Sequence, residues 1–216
     1  YLMLVPSLLA SAYIVAVLAG GLAAFWAAAG GRRPTPAAVL GAALDSHDLR
    51  YLGGGGGGCY YPSAERPSGA RRGLHHLVYW GFTAAFASTL VAAFEQDVQG
   101  VLPPYGLLTA PVLLGTAGGV AMVAGCSWLL VLKGRSARGL ADPALLSLDA
   151  AFLVLLGAAS LSGLLLLALR STPWLGTLLV LHLGVLTGLY ATAPYGKFVH
   201  LVYRGGALVL NRLEQD

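Results

Sequence analysis

Apolar residues in this chain gather into five long runs separated by short polar or glycine-rich breaks. The runs cover about 2–29, 73–94, 105–132, 144–169, and a fifth from 174 that extends past Pro194 toward 210. Each meets the requirement of about 20 residues for a helix that crosses a bilayer. Strand alternation is absent from the pattern. The expected fold is therefore all-α, an integral membrane bundle of about five transmembrane helices. Glycines recur within the runs (Gly115, Gly118, Gly119, Gly163, Gly184, Gly188). In a membrane such small residues let helix backbones approach closely, so packing is their first explanation.

The breaks organise the chain. Residues 1–29 form a first spanning helix, 30–72 a long glycine-rich cytoplasmic loop, and 73–216 a four-helix membrane region, all within one membrane domain. The loop contains six consecutive glycines at 53–58, followed by Cys59, Tyr60, Tyr61 and Pro62. A glycine run reads as a flexible linker. No Lys-Ser or Lys-Thr follows it, so a phosphate-cradling loop is excluded. The short apolar stretch 36–44 suggests a helix lying in the membrane interface.

Composition agrees: 57% of residues are hydrophobic and only 10% charged, against roughly a quarter charged in soluble domains. Twelve of the thirteen Lys and Arg residues fall on one side of this topology. They are Arg32, Arg33, Arg50, Arg66, Arg71 and Arg72, then Lys133, Arg135 and Arg138, then Lys197, Arg204 and Arg212; Arg170 alone falls on the other. The positive-inside rule then places the amino terminus outside and the carboxyl terminus in the cytoplasm of a bacterial inner membrane. The same asymmetry accounts for the net charge of +4 without a nucleic-acid partner. Two cysteines, Cys59 and Cys126, supply no iron–sulfur ligand set. Residue 1 is Tyr rather than Met, as expected of a fragment of a longer chain. The first run is too long, and wrongly flanked, for a cleaved signal peptide.

Histidine inside a span is costly and marks function by default. His182 and His200 are eighteen residues apart. At about 100° per residue that is five full turns, so in one uninterrupted helix both rings share a face about 27 Å apart. His75 and His76 open the second run from the side on which His200 lies. Facing imidazoles in a bundle are what a bis-histidine haem requires. The expectation is one haem b between His200 and either His75 or His76, which are about 100° apart around their helix. His182 lies nearer the other face, where the matching position of the second run holds Gln96, a poor ligand. A second haem is accordingly the weaker expectation. Met122 is a substitute ligand only if it is not packing. Arg71, Arg72 and Arg204 are placed either to pair with haem propionates or simply to anchor the chain. Asp149 and Lys197 are candidates for a quinone site or for ordinary interface residues.

Several stretches resemble the membrane portion of the tricarballylate-utilisation protein B (CitB/TcuB-type) family. They include 53–59 with Tyr61 and Pro62, Arg71-Arg72-Gly73-Leu74-His75-His76, Gly81-Phe82 with 86–89, and Pro104-Tyr105. Further along are 111–116 with Gly118 and Gly119, 149–153, Arg170 with Thr172-Pro173, and His182-Leu183-Gly184. The closing run is Pro194-Tyr195-Gly196-Lys197-Phe198-Val199-His200 with Tyr203-Arg204. The resemblance implies an electron-transfer component rather than a self-sufficient enzyme. Electrons from a flavoprotein dehydrogenase acting on tricarballylate or a citrate-like acid pass through 4Fe-4S clusters and b-type haem to quinone. The membrane part also looks like the gamma subunit of respiratory nitrate reductase, whose last helix carries haem histidines at the spacing of His182 and His200. The family's cysteine-rich, ferredoxin-like domain is absent from this sequence, so the clusters belong to a missing segment or to a partner. A different class remains open beside this one: a small transporter of tricarboxylates, or a non-redox membrane anchor.

Overall fold

The computed structural model describes residues 4–52, 69–135 and 143–215. The glycine tract 53–58, Cys59, Arg66 and Arg138 lie outside them. Among the described residues there are seven α-helices and no strand: α1 (Leu4–Ala28), α2 (Pro36–His47), α3 (Ala70–Asp97), α4 (Ala110–Arg135), α5 (Pro143–Ala168), α6 (Leu175–Thr192) and α7 (Lys197–Gln215). Five segments are long and apolar enough to cross a membrane: Leu8–Ala28, Ala70–Asp97, Ala110–Arg135, Leu148–Ala168 and Leu175–Tyr195. The chain divides into two compact units, Tyr1–Gly55 with Thr187–Asp216, and Gly56–Leu186.

The second unit is built on α4. On one side α3 and α4 approach until their backbones touch. A Cβ on Gly118 would lie 2.6 Å from the Gly81 carbonyl oxygen and 2.7 Å from the Ala85 nitrogen. A Cβ on Gly125 would meet Val78, and one on Gly81 would meet Met122. Ser88 Oγ donates to the Pro111 carbonyl across the same seam at 2.6 Å. Such contact is how helices associate where lipid removes the hydrophobic drive. On the other side α4 meets α5, with Gly119 against Leu164 and Cys126 against Gly157. Lys133 Nζ pairs with Asp149 Oδ2 at 2.9 Å at the end of that contact. Beyond α3, the Tyr105 hydroxyl donates to the Ala92 carbonyl at 2.9 Å and the Arg170 guanidinium to the Tyr105 carbonyl at 2.7 Å, tying down the connection to α4.

The first unit packs α7 on α1 and α2. Thr35 caps α2, accepting from the Ala38 amide, and Pro36 occupies its first turn, where a missing N–H costs nothing. Ala38, Ala42 and Asp45, spaced four and three apart, form its buried stripe. On α1, Gly21 admits Tyr203 of α7, whose ring stands edge-on to Phe25. The stretch 36–44 thus is helical, and longer at its end than its apolar pattern suggests, because Asp45 is buried by an ion pair rather than exposed.

The fifth apolar run is not one helix. The α6 helix ends at Thr192, a 3-10 turn covers Ala193–Tyr195, and α7 restarts at Lys197. Pro194 supplies no N–H to continue the ladder. Gly196 is extended, with φ −104° and ψ −156°, so the chain leaves helical geometry before α7 begins. The five-turn alignment of His182 and His200 therefore does not hold. These residues lie on different helices, and α7, an amphipathic helix, is not among the five spans.

Candidate functional site

His75 sits in the second turn of α3 rather than at its opening, since the helix starts at Ala70. Its Nδ1 lies 2.8 Å from the Arg71 carbonyl oxygen, one turn back. A carbonyl only accepts, so Nδ1 carries the proton and, in a neutral ring, Nε2 holds the lone pair. This tautomer is the one that metal-ligating histidines commonly adopt. By helix arithmetic His75 is roughly 100° around α3 from the ridge of Val78, Gly81, Ala85 and Ser88 that seals against α4, and His76 is nearly opposite that ridge. Neither ring is shut into the α3–α4 seam, and both are half-buried. Gln96 lies exposed in the last turn of α3.

His182, half-buried in α6, belongs to the same unit. Its Nδ1 is 2.9 Å from Ser162 Oγ of α5, and Ser162 is only 4% exposed. Gly163 lies beneath the ring, where a Cβ would stand 3.2 Å from His182 Cε1. The unit thus brings α5 and α6 together around an imidazole within apolar helices.

His200 and Arg204 lie on α7 in the first unit, and Arg72 on α3 in the second. Met122 is 4% exposed and fills the notch left by Gly81, so its thioether serves packing. Three of the arginines counted toward membrane orientation have structural work. Arg32 donates to the Leu213 carbonyl at 2.9 Å, capping the last turn of α7, while Arg50 and Arg212 both bind Asp45. Asp149 pairs with Lys133. The hydrogen bond from Arg212 holds the Asp45 carboxyl below the ordinary carboxylate range; burial opposes this, and Arg50 adds to it.

Among the described residues no group of three or more His, Cys, Asp or Glu side chains is arranged to hold a metal ion. A porphyrin iron needs only one or two axial imidazoles, because its equatorial ligands belong to the macrocycle. His75 and His182 each fit that role, with Nδ1 engaged by an oxygen, and at His182 the glycine seat is one that a Cβ would crowd.

Sequence reasoning missed Ser162 and the Asp45 clasp, and took Gly163 for a packing glycine. Two signals were present: Ser160 and Ser162 interrupt an otherwise apolar run over 150–168, and Asp45 is the only carboxylate within α2.

Helices alone among the described residues, five of them apolar and of spanning length, define a multi-pass helical membrane protein. A family model described as citrate utilization protein B matches residues 2–216, and the chain belongs to that family. It is similar to the citrate utilization protein B of Escherichia coli, at 36% identity over 201 residues. That match covers 93% of this chain and 53% of the relative, so the chain spans about half the length of the curated protein it matches. No solved structure matches.

Proposed function

We propose that this chain is a membrane haem b subunit that relays electrons from a cytoplasmic flavoprotein/iron–sulfur dehydrogenase to the quinone pool. Its amino terminus lies outside and its carboxyl terminus in the cytoplasm of a bacterial inner membrane. The dehydrogenase oxidises a citrate- or tricarballylate-like acid, consistent with the name of the Escherichia coli relative. The chain holds the haem and does not itself act on the acid. Its 4Fe-4S partner is a ferredoxin-like domain or subunit beyond this sequence.

The observation that carries this reading is the state of the membrane imidazoles. His75 and His182 both have Nδ1 within hydrogen-bonding distance of an oxygen, at 2.8 and 2.9 Å, the arrangement in which a neutral imidazole presents Nε2 to a metal. A histidine that served only as polar glue between helices needs no such uniform presentation. The proposed axial ligands are His75, in preference to His76, together with His182 and His200. Arg72 and Arg204 are proposed partners for propionates. The bound haem supplies one-electron chemistry, and the apolar helices supply the low-dielectric surroundings that set its potential.

The test is the reduced-minus-oxidised spectrum of the purified protein. A b-type band that His200→Ala diminishes, with the bundle still inserted, supports the reading; a wild-type protein without such a band refutes it.

A further inference from the structure

We propose that Ser162 and Gly163 are positioning residues for His182, seating its ring and fixing the tautomer that presents Nε2 to iron. The inference rests on the haem reading above and extends it to residues that no resemblance assigns.

Ser162 lies in the span Leu148–Ala168 and is 4% exposed. Its hydroxyl donates to the Ala159 carbonyl at 3.0 Å. A serine has one hydroxyl proton, and with that proton directed to Ala159 its oxygen toward His182 can only accept. The ring nitrogen 2.9 Å away, Nδ1, is then the donor, and Nε2 keeps the lone pair. The Ala159 carbonyl, reached by both the Ser162 hydroxyl and the His182 ring, ties this contact to the α5 backbone.

A serine already bonded to its own helix backbone needs no histidine, and one hydrogen bond would suffice for helix adhesion. Gly163 shows that more is fixed than adhesion. Its Cα hydrogens occupy the space where a Cβ would come within 3.2 Å of His182 Cε1 and 3.8 and 3.9 Å of Nδ1 and Nε2. The ring edge is therefore laid along the α5 backbone while Nδ1 is held by the adjacent residue. Two contacts at different atoms fix both the ring's place and its rotation. The neighbours Leu181 and Leu183 are exposed, so His182 turns inward where the flanking side chains turn out.

Donation of Nδ1–H to an oxygen raises the basicity of Nε2. A more basic ligand would favour ferric over ferrous iron, so this seat would lower the potential of an iron bound at His182. Loss of the Ser162 hydroxyl should raise that potential and loosen the haem.

The experiment uses the full chain with His182→Ala, Ser162→Ala, Gly163→Ala and the isosteric pair Ser162→Thr and Ser162→Val. Haem-to-protein ratio by pyridine haemochrome and a redox titration of the visible band are read on each. His182→Ala should lose one haem per protein. Ser162→Ala and Ser162→Val should raise the midpoint of the His182-dependent component and weaken haem retention roughly 10-fold, leaving the remaining component unchanged. Ser162→Thr should restore both properties, and its contrast with Ser162→Val separates the hydroxyl from side-chain shape. Gly163→Ala should reduce occupancy of the same component alone. A Ser162→Val protein with wild-type occupancy and midpoint overturns the inference. A wild-type haem ratio in His182→Ala also overturns it while leaving the haem reading intact. Absence of any haem in the wild type is the separate failure of that reading.

Discussion

Arg212 of α7 grips Asp45 of α2 through two hydrogen bonds, Nε to Oδ2 at 2.8 Å and Nη2 to Oδ1 at 2.7 Å. Arg50 adds a third at 3.2 Å. Fork-on-fork pairing fixes the angle between the two helices as well as their contact. The carboxylate is 5% exposed, and removing one partner would strand the others. Asp45→Ala should release α7 from α2, seen as faster proteolysis near the carboxyl terminus with the spanning helices still protected. Equal resistance in mutant and wild type would refute the clasp.

The same pair sets a pH dependence whose sign is fixed. Arg212 depresses the folded pKa of Asp45, so the unfolded chain takes up the proton first on acidification. The pair's contribution is complete at neutral pH and disappears only as pH falls below the ordinary aspartate value of about 3.9. Thermal unfolding between pH 7 and pH 5 should leave this contribution unchanged. Asp45→Asn should remove it at every pH in that range.

The α3–α4 seam gives the sharpest stability prediction. Gly118→Ala drives a Cβ onto backbone atoms of Gly81 and Ala85, which cannot rotate away. The expected cost is about 1–3 kcal/mol, read by unfolding in mixed detergent. Gly184→Ala, with no neighbour within 4 Å, should lie within about 0.5 kcal/mol of wild type. Similar losses for both would show that the seam is not as close as described.

Ligand choice at the start of α3 is testable by comparing neighbours. His75→Ala should remove haem and His76→Ala should leave the band in place, because the Arg71 carbonyl fixes the tautomer of His75. The reverse order would move the ligand to His76 and deny the carbonyl bond any part in ligation.

Spans were legible because length and hydropathy suffice to specify them: Ala110–Arg135 and Pro143–Ala168 lie within a few residues of their apolar runs. The break after Thr192 was harder to see. Pro194 was visible, but a proline can kink a membrane helix without ending it, and only the extended Gly196 completes the stop. The arginines were counted as a sum, and what each one binds was not legible. Arg32, Arg50 and Arg212 proved to be bound within the first unit because a single buried carboxylate and a helix end required them. Ser162 was legible only as a polar interruption of an apolar run; its role depends on His182 of α6 reaching it, a tertiary contact with no local signature.

The most direct test of the account is the haem content of the purified wild-type protein, measured by pyridine haemochrome beside its reduced spectrum. The account predicts a b-type band and a ratio of at least one, with the band diminished in His200→Ala. A protein that inserts and folds with a ratio near zero would contradict it.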